Sequence, residues 1–250
     1  MQRITKIVVK DYWVSDKNLI NTLDRISDFS NQESTYYFPP RRIIKDLNSE
    51  ISWNVDSETN RKLSEILSAS DKGAVIFGNG EKGYLIEPPF PIIEDKQYNN
   101  YELYPLMNIL NQPRVIGVIS LRLGRFAVGV YQGRKLISSK TGSRYVKGRH
   151  RAGGSSATRF SRIREKQKTE LFDKVCGIVY TQFSNYWDQL EWIFLSGERM
   201  TLKGFFDSCE RLNTIKRLVA SRVLNVREPS RKALEVLPQD IWKCHVYEFA

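Results

Sequence analysis

The sequence is short of the side chains that hold metals, and it has no long apolar run. There are two histidines, His150 and His245, and three cysteines, Cys176, Cys209 and Cys244. No two of these stand at a ligand spacing, so neither a zinc site nor any other metal site is expected. The cysteines are far apart and odd in number, which favours reduced thiols in the cytoplasm over a disulfide framework. No apolar run reaches the length of a membrane span, about eighteen residues. The opening MQRITKIVVKDYWVSDK holds only a few consecutive apolar residues and is expected to be neither a signal peptide nor an anchor. What is present is globular in character: 41% hydrophobic and 12% aromatic residues in a chain of 250. That length suits one large domain or two modest ones.

Acid is scarce in one place above all. Residues 133–168 hold twelve Lys or Arg against a single acid, Glu165, a net charge equal to the +11 of the whole chain. The remainder is neutral on balance, so the partner implied is a polyanion, nucleic acid first and an anionic membrane surface second. Lys140, Arg144, Lys147, Arg149 and Arg151 precede a Gly153-Gly154 tip, and Arg159, Arg162 and Lys166 follow it. Cations on both arms of a glycine tip supply phosphate neutralisation and a strong salt dependence. Tyr145, His150 and Phe160 are interspersed and can stack on bases, while Tyr145 and Phe160 serve equally well as anchors to the core.

The tip itself carries weaker signals. Ser155 or Ser156 is a good N-cap, and a helix starting there offers free N–H groups and a positive dipole end to a phosphate or an oxyanion. Ser156 as a covalent nucleophile would need a neighbouring base; His150 is the nearest histidine and no carboxylate accompanies it. Asp173, Asp188 and Glu191 read as solvated charges rather than a ligand set for metal-dependent cleavage.

Periodicity organises the rest. A strand is expected over 4–9, a helix over 16–29 capped by Ser15, and an extended segment over 35–42, where Pro39 and Pro40 forbid a helix. A second helix follows over 57–68, then strands over 73–77 and 83–86 joined by Asn79-Gly80-Glu81-Lys82, a hairpin signal. Residues 88–100 read as a linker or surface loop and 104–110 as a short helix. Three strands over 114–123, 125–131 and 134–139 form a meander turned at Gly124 and Gly133. A long helix from about Ala157 carries Phe160, Ile163, Leu171, Val175, Ile178 and Phe183 on one stripe. Strands at 192–195, 218–226 and 245–249 alternate with helices at 202–209 and 230–237, an α/β pattern with a mixed sheet. The expected division is an α+β domain over 1–105 and an α/β domain over 106–250, whose basic loop spans 141–158. Residues 141–156 lack an apolar pattern and are expected to be mobile without RNA.

The stretch GRFAVGVYQGRKLISSKTGSRYVKGRHRAGGSSATRFSRIREKQ resembles the Vms-like release factor family, in its actinobacterial/chloroflexal branch of peptidyl-tRNA hydrolases. These are relatives of the central domain of archaeal and eukaryotic class I release factors. The match is densest over 115–166 and looser to 249. The resemblance implies an RNase H-like α/β domain whose loop enters the peptidyl-transferase centre and promotes water attack on the peptidyl-tRNA ester. The partners implied are the large ribosomal subunit and peptidyl-tRNA, with no membrane; a monomer without metal or organic cofactor is expected. Carried over, the catalytic tip is Gly153, Gly154, Ser155, Ser156, Ala157 and Thr158. The family's tip glutamine falls at Ala157, or at Thr158 with a shift of one, and neither residue replaces it. Alanine can neither donate to nor accept from a water. Either backbone N–H groups with Ser156 or Thr158 act unaided, or the chain binds without hydrolysis; a third reading is a nuclease cutting near the tRNA end.

Overall fold

The structure is a computed structural model that describes residues 9–15, 18–19, 21–22, 34–80, 82–148 and 155–249, with backbone alone for Ser155 and Ser156. In chain order the strands are β1 (Lys10–Val14), β2 (Ser34–Phe38), β3 (Ala74–Gly78), β4 (Gly83–Glu87), β5 (Lys96–Tyr98), β6 (Val115–Arg122), β7 (Arg125–Gln132), β8 (Lys135–Ser143), β9 (Leu190–Gly197), β10 (Val219–Leu224) and β11 (Cys244–Phe249). The helices are α1 (Ser57–Ala69), α2 (Tyr104–Asn111), α3 (Ser155–Ser184), α4 (Arg199–Ser208), α5 (Arg231–Val236) and α6 (Pro238–Ile241).

Two compact units result, one from residues up to 112 together with 242–250, the other from 113–241. In the first, an antiparallel sheet has the order β1-β11-β4-β3-β2-β5. Its central strands β2 and β3 are buried at every position, because alternate residues feed two cores. Tyr36, Phe38, Ala74, Ile76 and Leu85 meet Leu63 and Leu67 of α1 on one face. Tyr37, Val75, Phe77 and Ile86 meet Leu106 and Leu110 of α2 on the other. Asp56 starts α1 by accepting from the amides of Glu58 and Thr59 at 3.0 and 3.3 Å, as an N-cap carboxylate does.

Three sequence expectations change here. The segment 88–100, expected as a linker, contains β5, which pairs with β2. The strand expected at the end of the second domain is β11, which returns to the first sheet between β1 and β4. Trp242 fixes that return, with its indole N–H donating to the Leu110 carbonyl at 3.0 Å. A contiguous division at 105/106 therefore gives way to one in which the chain's last residues, 242–250, belong to the first unit. The strand expected over 4–9 and most of the helix over 16–29 lie outside the described residues; where described, the amides of Asn18 and Leu19 bond back to Ser15 and Leu19 is buried.

The second unit is α/β. Its sheet has the order β10-β9-β6-β7-β8, with β7 antiparallel to both neighbours and β6, β9 and β10 parallel. Counted within the unit, that is 5-4-1-2-3 with the second strand reversed, the RNase H-like arrangement. On one face, Val115, Ile119, Phe126, Val128 and Ile193 pack against Leu171, Val175, Val179 and Phe183 of α3 and Phe205 of α4. Gly117 makes this approach possible, since a Cβ there would stand 2.6 Å from the Phe183 ring.

Three free thiols are not what the fold contains. Cys176 of α3 and Cys209 beside α4 form a disulfide with Cα atoms 5.8 Å apart, and Cys244 is free and buried. The α3–α4 contact, where the rings of Phe172 and Phe205 meet edge to face, brings together residues 33 apart in sequence. The cysteines thus carry no argument about compartment. Thiol titration of protein unfolded without reductant should count one thiol, and reduction should lower the unfolding free energy by about 3–4 kcal/mol, the value for a loop of this length. A count of three would contradict the pairing.

Candidate nucleic-acid interface

The long helix α3 outruns its hydrophobic support. Its buried residues, Leu171, Phe172, Val175, Val179 and Phe183, begin some four turns after its start, and over 157–170 no side chain is buried. Phe160 and Ile163, expected on the core stripe, do not reach it: Ile163 is exposed and Phe160 is half-buried.

Polar and cationic contacts from the end of β8 hold this part of the helix instead. The Arg144 amide donates to the Gly124 carbonyl at 2.9 Å, in a turn where Gly124 takes a φ of +103° that a side chain would resist. Its guanidinium donates to Glu170 of α3 at 2.6 Å. One turn back along the helix, the Lys147 amide donates to Gln167 Oε1 at 2.9 Å, and Arg164 Nε donates to the Lys147 carbonyl at 3.0 Å. The Lys147 ammonium sits 3.7 Å from the centre of the Phe160 ring, a cation–π contact. Val146 packs against the core between these anchors. Lys174 adds a bond from its ammonium to the Ser143 carbonyl at 3.2 Å.

The first half of the segment 141–156, expected as an unanchored loop, makes specific contacts. Residues 141–143 complete β8, and 144–147 are tied to α3. The alternatives for the aromatics also separate, Phe160 serving as an anchor while the Tyr145 ring is exposed at 73%. Arg144 holds the Glu170 carboxyl below the usual carboxylate range. A depressed carboxyl contributes stability above its ordinary pKa and loses it as pH falls through the lowered value, so this tie is complete at neutral pH.

Of the ten expected RNA contacts, Lys140, Arg144, Tyr145, Arg159, Arg162 and Lys166 are exposed on β8, the loop arm and the start of α3, and Lys147 is half-buried in the stitching. Arg149, His150 and Arg151 lie outside the described residues, as do Gly153 and Gly154 of the tip. Ser155 and Ser156 form the first turn of α3, followed by half-buried Ala157 and exposed Thr158, with no acidic residue in that turn. Arg134 and Lys135 are not brought to this site: Lys135 opens β8 at its far end, with Arg134 just before it, roughly 26 Å along the strand at its usual rise. Among the carboxylates, Asp173 and Asp188 are exposed, and Glu191 pairs with buried Arg114 at 2.5 Å. No group of three His, Cys, Asp or Glu that could hold a metal occurs among the described residues, nor is any described helix long and apolar enough to cross a membrane. Gln167 and Glu170 were missed by sequence reasoning, because two polar residues inside a charge run give no local sign of their partners.

Residues 114–247 match the sequence pattern of the Actinobacteria/chloroflexi VLRF1 release factors. The chain belongs to this family. Within the VLRF1 release factors, the matched segment covers the RNase H-like sheet, the basic arm and α3. The chain is also similar to the peptide chain release factor subunit 1 of Archaeoglobus fulgidus, 27% identical over 76% of this chain and 54% of that one. The corresponding protein of Methanopyrus kandleri is 24% identical over 89% and 63%. The chain thus spans little more than half the length of these curated relatives. Solved structures that resemble it include the archaeal termination factor aRF1 (17% identical, TM-score 0.39, covering 92% and 73%). Another is the Vms1 mitochondrial localization core (14%, TM-score 0.42, 78% and 85%). The strand order rather than these scores establishes the fold.

If Gln167 positions the arm, Gln167→Ala should speed amide exchange at Lys147 roughly fivefold, the loss of one neutral hydrogen bond of ~1 kcal/mol, while Val175 is unchanged. Equal exchange at Lys147 in both proteins would contradict it.

Proposed function

We propose that this VLRF1 release factor frees nascent peptides from tRNA on stalled large ribosomal subunits. The observation that carries the reading is the cationic start of α3, which extends without apolar burial and is stitched to the loop arm. Such a structure reaches into an anionic cleft at little cost in packing, while its exposed Arg159, Arg162 and Lys166 neutralise phosphates. The tip residues Gly153, Gly154, Ser155, Ser156, Ala157 and Thr158 are assigned to the ester. Water attacks the ester carbonyl carbon, and the first N–H groups of α3 stabilise the developing oxyanion. The ester C–O bond then breaks, a proton passes to the departing ribose oxygen, and peptide acid and intact tRNA separate. No metal or organic cofactor is invoked; the setting is the cytoplasm and the acting form a monomer.

A second reading follows from one observation, the absence of glutamine at Ala157 and Thr158. Under it the protein occupies the ribosome or tRNA without cleaving the ester. A single-turnover assay on large subunits carrying labelled peptidyl-tRNA separates the readings. Release of peptide with intact tRNA is expected, and Gly154→Val should slow it on the order of a hundredfold or more, the typical cost of a lost oxyanion donor. Ala157→Gln should preserve or raise release. Shortened tRNA would indicate a nuclease; release by Ala157→Gln but not by the parent would establish the non-hydrolytic reading.

A further inference from the structure

At the root of the basic arm, three segments of the second unit line an open groove of about 680 Å³, within the usual range for small-ligand sites, roughly 300–1,000 Å³. Its walls are the β6–β7 turn, the end of β8 with the first residues of the arm, and the segment 227–229. The groove is bordered by specific bonds. Arg122 donates from Nη2 to the Val226 carbonyl at 3.0 Å, Arg125 pairs with Glu228, and the Arg144 amide closes onto Gly124. The lining divides into two chemistries. Arg122, Arg125 and Arg227 supply three guanidiniums against the one carboxylate of Glu228, while Leu123, Val146 and Pro229 supply an apolar wall. The Tyr145 ring stands beside them, exposed at 73%. The hydrolytic reading uses none of Arg122, Arg125 or Arg227.

We infer that this groove is a binding site for one unpaired nucleotide of RNA, its base stacked on Tyr145 and its phosphate held by Arg122, Arg125 and Arg227. A bare anion would leave the exposed Tyr145 ring uncovered. An apolar ligand would make no use of the excess positive charge of Arg122, Arg125 and Arg227 over Glu228. A nucleotide carries a π face and a phosphate on one frame, and stacking on an aromatic ring with cationic contacts to the backbone is how single strands are held. Arg222, elsewhere on β10, takes no part. The site would grip a looped-out nucleotide beside the entry of the arm, so it deepens the ribosomal reading given above and rests on it for the identity of the RNA.

The test uses the full chain and a single-stranded RNA pentanucleotide containing 5-bromouridine, cross-linked by ultraviolet light and mapped by mass spectrometry, with affinity measured in parallel. The adduct should fall on Tyr145. Tyr145→Ala should weaken binding by about 5- to 150-fold, the range for one lost base stack, whereas Tyr145→Phe should bind within about twofold of the parent. Arg227→Ala should weaken binding and lower the log–log salt slope by about 0.7. An adduct only elsewhere, Tyr145→Ala binding like the parent, or displacement of the RNA by an equal concentration of oligoglutamate would each overturn the site, the last by making it a general anion patch. Peptide release is scored separately. A parent that releases nothing but binds RNA through Tyr145 refutes the hydrolytic reading and leaves the groove. Release with RNA binding independent of Tyr145 does the reverse.

Discussion

A helix that continues for four turns past its hydrophobic support has to be held by something else. In this protein the support is the short arm 144–147, which lays two backbone groups and two side chains against α3. The arrangement depends on residues spaced one turn apart on the helix: Phe160, Arg164 and Gln167 all meet Lys147, and Glu170 above them meets Arg144. Net hydrogen bonds of this kind contribute about 1 kcal/mol each, which suffices to choose one course for the arm though not to stabilise a domain. The domain is stabilised lower down, where Leu171, Val175, Val179 and Phe183 pack on the five-stranded sheet.

This division of labour places the charge. Twelve cations within residues 133–168 repel one another, and a compact apolar setting for them would be costly. Those that are described and exposed stand on the unsupported part of a helix and the strand beside it, where water solvates them. Among the described residues, Arg144 with Glu170 and Lys168 with Glu165 consume charge locally, and Lys147 sets its ammonium over Phe160. Lys140, Arg159, Arg162 and Lys166 lie on exposed positions, where phosphate contacts would form. A release factor built this way separates the folding problem from the binding problem.

Much of the fold was legible because local pattern determines it. Apolar runs over 114–139 and the turns at Gly124 and Gly133 announce the meander, though not that β8 continues to Ser143, and apolar spacing announces α1, α2 and α3. What the pattern missed is pairing between distant segments. β5 has three residues, two of them exposed Lys96 and Gln97, so nothing in its composition marks it as part of a sheet. β11 reads as a strand but gives no sign that its partners are β1 and β4 rather than the sheet that immediately precedes it. The disulfide escaped for the same reason, since a 33-residue separation is uninformative until two helices pack. Phe160 was misread because an aromatic at helical spacing looks like core whether its cover is a leucine or a lysine stem. At the site, the clustering of charge was visible in the chain, whereas the stitching by Gln167 and Glu170 was not.

The most direct test of the account is the salt dependence of binding to large ribosomal subunits. Lys140, Arg159, Arg162 and Lys166 are exposed, so replacing all four with serine leaves the arm's anchors in place. Each lost phosphate contact lowers the log–log slope by very roughly 0.7 to 0.9, and the quadruple variant should therefore lose about 3 in slope together with most of its affinity at low salt. A variant with the parent's slope and affinity would show that the cationic face of α3 is not where this protein meets RNA.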